Sequence, residues 1–318
     1  MQADFNHRSS VSEKVTGFPA KILLFGEYGL VSNADNPSEI QAKALVMPYT
    51  SYHGNLRIDP VHKNALQPYA HYLAQECTDI INVEQLLSDA EMGLYFHSDI
   101  PCGYGLGSSG ALVAAIYDGY ARQKITVTHG DPQEFIRLKK DLARMESRFH
   151  GQSSGVDPLL SYTGKPLLID DDAQISTLML EHDPHGSAHI FLLDSGDAAK
   201  TADMSVIFRQ KMQDIDFMHA LHDNFIPHSN HCIDAFLANK HDVLFDGLKD
   251  LSRWSREYLQ PMIPEKIVDV WDQGIHDDAF YLKLCGSGGG GYMLGFTRDM
   301  TRTKQILSSH PVHSVLCF

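Results

Sequence analysis

The chain has 318 residues and a formal net charge of −14, with 43% hydrophobic and 21% charged residues. Those proportions fit one large or two ordinary globular domains and exclude a disordered chain. The acidic balance argues against a nucleic-acid binder, which meets phosphates with a basic surface; an acidic protein that takes an anionic ligand must focus positive charge, backbone N–H groups or a metal at the site.

Residues 1–16 read as a loose polar start with no apolar leader segment, and no stretch reaches the roughly 18 apolar residues that span a bilayer. The five cysteines, Cys77, Cys102, Cys232, Cys285 and Cys317, are scattered and form no CxxC pair. That pattern suits reduced thiols rather than a disulfide framework or a zinc site, so a cytoplasmic protein with no membrane partner is expected.

The run Ala20 to Glu27 predicts a buried strand ending in a glycine turn. Asn33 to Ser38 is loop-like, and residues 42–59 alternate as strands do. Helical spacing follows over 61–80 and 83–89, then a strand at Leu94 to His97. The glycine-rich turn Gly103 to Gly107 runs directly into a helical pattern, with Ser108 or Ser109 suited to its N-cap. A second amphipathic helix spans 132–147, opened by Asp131-Pro132. Strand-like runs return at 166–170 and 189–194, three or four polar helices fill 201–275, and a strand at Phe280 to Cys285 meets a second glycine turn. A further apolar run and a helix close the chain. Interleaved strands and helices give an α+β or α/β class, with a boundary expected near residues 165–180.

Four segments carry chemistry. In Gly103-Tyr-Gly105-Leu106-Gly107-Ser108-Ser109, alternating glycines let backbone N–H groups face a ligand, and the helix that follows adds its positive end. Phosphate oxygens are what such a turn holds, with the serine hydroxyls in reach of phosphate or Mg²⁺; a plain strand–helix turn gives the same pattern. Gly286-Ser-Gly288-Gly289-Gly290-Gly291 is a second such loop, which strengthens the phosphate reading, although a flexible hairpin would also fit. Lys21 lies within an apolar strand run beside Glu27; on these residues alone a snorkelling edge lysine is the better reading. Glu146 and Asp157 flank a loop rich in glycine and serine, as a metal ligand and a proton-accepting carboxylate would, or as ordinary helix-end caps would. His219, His222, His228 and His231 have HxxH spacing at both ends but no supporting HExxH or cysteine pattern, so a polar helix face is preferred to a metal site.

Taken as an ordered set, Pro19 to Tyr28, Pro101 to Ala111 and Lys283 to Gly291 resemble the three motifs of the GHMP kinase superfamily, and Glu146 to Pro158 is most similar to the mevalonate kinases within it. The resemblance implies a two-domain α+β fold. Residues 1–170 would form an N-terminal ATP-binding domain like the second domain of ribosomal protein S5, and residues 171–318 a ferredoxin-like C-terminal domain. It implies ATP and Mg²⁺ as cofactors and transfer of the γ-phosphoryl group to a small-molecule hydroxyl, with mevalonate going to 5-phosphomevalonate. Asp157 would be the catalytic carboxylate and Lys21 its partner. Gly103, Gly105, Leu106, Gly107, Ser108, Ser109, Gly288 and Gly289 would hold the nucleotide, and Ser109 and Glu146 the metal. Glu27, Tyr28, Lys200 and Thr201 would meet the acceptor. A homodimer is expected on the same ground.

Three departures bear on the acceptor. Tyr28 stands where mevalonate kinases commonly carry histidine and phosphomevalonate kinases often carry tyrosine. Gly110 replaces a usual alanine, which is expected to be harmless. Asp194 to Thr201 matches the family's substrate loop only loosely. Phosphomevalonate kinase and sugar-1-kinases are therefore the alternatives within the family. Gly105 to Gly110 also fits the G-x-G-x-x-G dinucleotide fingerprint, with a strand-like Ile125 to Thr128 and Asp131 after it. An NAD(P)-dependent oxidoreductase would leave the other motifs unexplained. A non-catalytic sensor of the same fold would not need Lys21, Ser109, Glu146 and Asp157 together.

Overall fold

The computed structural model describes residues 17–29, 42–125, 132–151, 153–199 and 201–318. The polar start, the Asn33–Ser38 loop, Thr126–Thr128, Asp131 and Lys200 lie outside them.

Two antiparallel sheets organise the chain. In the first, β1 (Phe18–Phe25) pairs with β2 (Ala44–Ile58), which is one strand of 15 residues. Its length lets β2 serve two more partners: β3 (Leu94–Ser98) at one end and β4 (Leu167–Ile169) at the other, with β5 (Ile175–Thr177) beyond β4. This sheet therefore runs past residue 170. Its helices are α1 (Gln67–Glu76), α2 (Val83–Met92), α3 (Ser108–Tyr120), α4 (Pro132–His150) and α5 (Val156–Thr163). The second sheet has the order β7 (Tyr281–Leu284), β8 (Tyr292–Thr297), β6 (His189–Asp194), β9 (Val312–Cys317). It carries α6 (Thr201–Lys211), α7 (Ile215–Ala220), a π-helical turn at Leu221–Phe225, α8 (Ile226–Leu237), α9 (His241–Tyr258), α10 (Glu265–His276) and α11 (Met300–Ile306). The class is α+β.

Each sheet has its own core. Ala44, Val46, Leu73, Leu86, Val113, Ile116, Leu138, Leu142 and Leu159 pack in the first, and Leu192, Phe225, Leu248, Trp271, Phe280, Leu294 and Phe296 in the second. Burial of each large side chain contributes about 1.5–3 kcal/mol. β1 joins the two bodies because strand residues alternate faces. Ala20, Ile22 and Leu24 belong to the second core, while Leu23 packs against the first. Lys21 shares Leu23's face, which turns it toward the start of α3.

Two expectations change. The helix is not capped by Ser108 or Ser109: Gly107 is the N-cap, with φ 71° and no side-chain cap bond, and the serines begin the helix. A β-carbon on Gly107 would come within 2.6 Å of Lys21 Cγ, so the cap position has no room for a side chain. The chain also closes on strand β9 rather than on the helix before it. Val312 and Val315 are only half-buried on this sheet edge, so the period-two signal is weak.

Candidate active site

Helix α3 is placed by small residues. Gly110, Ala111, Ala114 and Ala115 are buried and let it lie close to its neighbours. A β-carbon on Gly110 would stand 2.8 Å from the backbone carbon of Asp157. The missing methyl is what lets α5 cross there and bring Asp157 to the mouth of the glycine turn. Asp157 sits in the first turn of α5, where the helix dipole favours a carboxylate.

Lys21 Nζ lies 3.1 Å from Asp157 Oδ2, with side-chain exposures of 7% and 31%. The Lys21 backbone N–H donates to the Leu106 carbonyl at 2.9 Å, tying strand to turn. Burial alone would lower the Lys21 pKa; the charge and hydrogen bond of Asp157, with smaller help from Cys285 and Glu146, hold it above the ordinary lysine value. Lys21 is therefore a fixed cation. The snorkelling edge lysine is replaced by a buried, paired one.

Helix α4 explains Glu146. Phe135, Leu138, Leu142 and Met145 are buried at helical spacing, and Glu146 follows at the edge of that stripe, only 3% exposed. Ser109 Oγ donates to Glu146 Oε1 at 3.0 Å, and Ser153 Oγ donates to Oε2 at 2.5 Å. Burial and the nearby Asp157 charge push the Glu146 carboxyl up to about 7, against the opposing pull of the two serines and Lys21. A hydroxyl and a carboxylate at the start of α3 form a hard-oxygen set that fits Mg²⁺ once phosphate oxygens complete it. Among the described residues, no group of three or more His, Cys, Asp or Glu is arranged to hold a metal. The four histidines are spread over α7, the π turn and α8; His222 is buried, and His219 and His231 are exposed.

The second glycine loop packs on the first. A β-carbon on Gly291 would meet Tyr104 Cα at 2.4 Å, and the Tyr292 N–H points to the Tyr104 carbonyl at 3.4 Å. The loop after β6 joins them: Ala199 N–H donates to the Gly103 carbonyl at 2.8 Å, and Gly291 N–H to the Asp197 carbonyl at 2.5 Å. Gly288 and Gly289, expected at the nucleotide, lie against Met262 and Met204, and the Gly289 N–H is given to the Met262 carbonyl at 2.6 Å. Leu106 is buried, and Ser108 Oγ lies 3.6 Å from Cys102 Sγ.

Of the expected acceptor residues, Glu27 and Tyr28 are placed together. Glu27 Oε1 forms an ion pair with Lys283 Nζ at 2.7 Å, both side chains 4% exposed. Tyr28 adopts φ 60°, stacks on Phe208 with ring centroids 4.1 Å apart, and donates its hydroxyl to the Ser287 carbonyl at 2.5 Å. Thr201 opens α6. Sequence reasoning gave no role to Lys283 or Ser153. The signal for Lys283 was the one that marked Lys21, a lysine inside an apolar strand; Ser153 had none beyond its place between two carboxylates.

Residues 70–165 match the family model of the GHMP kinases N terminal domain. No curated protein sequence matches the chain. Solved structures with the same fold include L. major mevalonate kinase in complex with R-mevalonate, at 15% identity, TM-score 0.60 and coverage of 95% of each chain. Methanococcus jannaschii mevalonate kinase matches at 16% identity and TM-score 0.60, over 98% of this chain and 100% of that one. Streptococcus pneumoniae phosphomevalonate kinase, in complex with phosphomevalonate and AMPPNP, matches at 11% identity and TM-score 0.62, over 93% and 98%. Residues 70–165 thus carry the likeness to the GHMP kinases N terminal domain, and the whole chain shares its fold with solved kinases of that kind. In fold it resembles mevalonate kinase.

Proposed function

We propose that the chain is a kinase that uses ATP and Mg²⁺ to phosphorylate the hydroxyl of a small molecule, with mevalonate as the first acceptor. The observation that carries this reading is the Lys21–Asp157 pair at the mouth of the glycine turn, next to the Glu146–Ser109 pair. Phosphoryl transfer asks for positioning and charge neutralisation more than for covalent chemistry. The N–H groups of the 103–109 turn and the start of α3 hold the phosphates. Ser109 and Glu146 hold Mg²⁺, which would neutralise phosphate charge. Asp157 accepts the proton of the attacking hydroxyl. Lys21 pairs with Asp157 and offsets charge on the moving group.

A phosphorylated acceptor is the second reading, favoured by the tyrosine at position 28. A sugar acceptor comes after it, through the family alone.

The test is ADP release with Mg-ATP over mevalonate, phosphomevalonate, homoserine and galactose. Turnover on mevalonate alone supports the reading. Turnover on another acceptor keeps the chemistry and moves the substrate. Failure to bind Mg-ATP would sink it.

A further inference from the structure

Glu146 has both carboxylate oxygens engaged, and the two engagements differ in kind. Oε1 faces Ser109 at 3.0 Å, at the first turn of α3, where the kinase reading puts the phosphates. Oε2 accepts instead from Ser153 Oγ at 2.5 Å. Ser153 is oriented in turn: its Oγ accepts the Gly155 N–H at 3.0 Å, so its single proton is directed to Glu146. Gly155 is the N-cap of α5, the helix that carries Asp157. One hydroxyl thus links the carboxylate on α4 to the cap of the helix that bears the proposed base.

We propose that Ser153 is a positioning residue that makes Glu146 a one-oxygen metal ligand and so favours Mg²⁺ over Ca²⁺. This rests on the kinase reading given above. Mg²⁺ demands near-ideal octahedral geometry and takes carboxylates through one oxygen, whereas Ca²⁺ accepts six to eight oxygens and bidentate carboxylates. A carboxylate with Oε2 tied back by Ser153 offers Oε1 alone. Freed of that bond, the same carboxylate can turn both oxygens to the ion. Hydrogen-bond partners of metal ligands commonly change metal affinity by about 10–100-fold when removed.

The experiment uses the full chain and the unreactive ATP analogue AMPPNP, with binding measured by calorimetry in Mg²⁺, in Ca²⁺ and in EDTA. The ratio of affinity with metal to affinity in EDTA reads the metal site without turnover. For Ser153→Ala, the Mg²⁺ ratio is expected to fall roughly tenfold while the Ca²⁺ ratio holds or rises and the EDTA affinity stays within about threefold. Ser153→Thr, which keeps the hydroxyl, should restore the Mg²⁺ preference. Ser154→Ala is the control for loop stiffness, because Ser154 Oγ accepts the Val156 N–H at 3.4 Å without touching Glu146; it should leave the Mg²⁺:Ca²⁺ preference unchanged. An unchanged preference in Ser153→Ala, or an equal loss in Ser154→Ala, overturns the inference and leaves the kinase reading standing. A wild-type chain whose AMPPNP binding ignores metal overturns the kinase reading and the inference with it.

Discussion

Gly105 and Cys285, 180 residues apart in sequence, touch backbone to backbone: a β-carbon on Gly105 would stand 2.0 Å from the Cys285 carbonyl oxygen. Gly105 also has φ 77°, a region where L side chains are strained. Gly105→Ala should therefore separate the two glycine loops and cost about 2–4 kcal/mol from clash and strain together. A urea midpoint lowered accordingly, with AMPPNP binding lost, is the expected result. A variant with wild-type stability and binding would show that the contact is not needed.

Asp157→Asn keeps the size of the side chain and removes its charge. Turnover should fall by at least about a hundredfold, as when a positioned base is removed, while AMPPNP affinity stays within about threefold. Lys21→Met should lower kcat more than it raises KM for ATP, because the proposed mechanism puts Lys21 on the reacting groups. Steady-state kinetics and calorimetry check both variants; full activity of Asp157→Asn would assign the base elsewhere.

The Glu27–Lys283 pair joins the end of β1 to β7 away from water. Lys283 Nζ also donates to the Leu23 carbonyl at 3.4 Å and the Leu284 carbonyl at 3.2 Å. Among the described residues, Glu27 Oε2 has no hydrogen-bond partner. Lys283→Met strands a buried carboxylate and should destabilise the chain by about 3–5 kcal/mol. Replacing both, Glu27→Leu with Lys283→Met, should recover much of that loss. Chemical unfolding of the two singles and the double closes the cycle; additive losses would mean the charges do not interact.

Glu146 gives the metal-free chain a pH signature. Its folded value of about 7 lies above the ordinary 4.5, so between these pH values the folded state holds a proton that the unfolded state has released. Its contribution to stability is therefore present below about pH 4.5 and is lost as pH rises through about 7. In EDTA, the Tm difference between wild type and Glu146→Gln should shift against the wild type from pH 5 to pH 8. A difference independent of pH would mean that burial does not perturb this carboxyl.

Periodicity made most elements legible. The stripe Phe135, Leu138, Leu142 and Met145 and the run of small residues after Gly107 announced their helices, whereas the lysine in the first strand read on its own residues as a snorkelling edge lysine. Pairing across the fold was not legible. Nothing near Glu27 in sequence points to Lys283, and nothing near Gly105 points to Cys285, because both contacts come from the meeting of two sheets. The N-cap was misjudged because serine is the better cap in isolation; the approach of Lys21 reserves that place for glycine. Gly110 was read as a neutral exchange for alanine, whereas the crossing with α5 uses its missing methyl. β9 was missed because an edge strand with one half-buried face carries little alternation.

The ties between β1 and the β7 region set an order of events during synthesis. Lys283 and Leu23 are 260 residues apart. At about 5–20 residues per second, a ribosome needs roughly 13–50 s to cover that distance. Through that interval the Ala20, Ile22 and Leu24 face of β1 lacks the part of its cover that β7 and β8 supply, in a chain whose first core can already collapse. The loop that packs on the Gly103–Gly107 turn is complete only when the strands around residues 281–297 arrive. A fragment ending at residue 278 should bind no AMPPNP and should be held by chaperones that recognise exposed apolar strands.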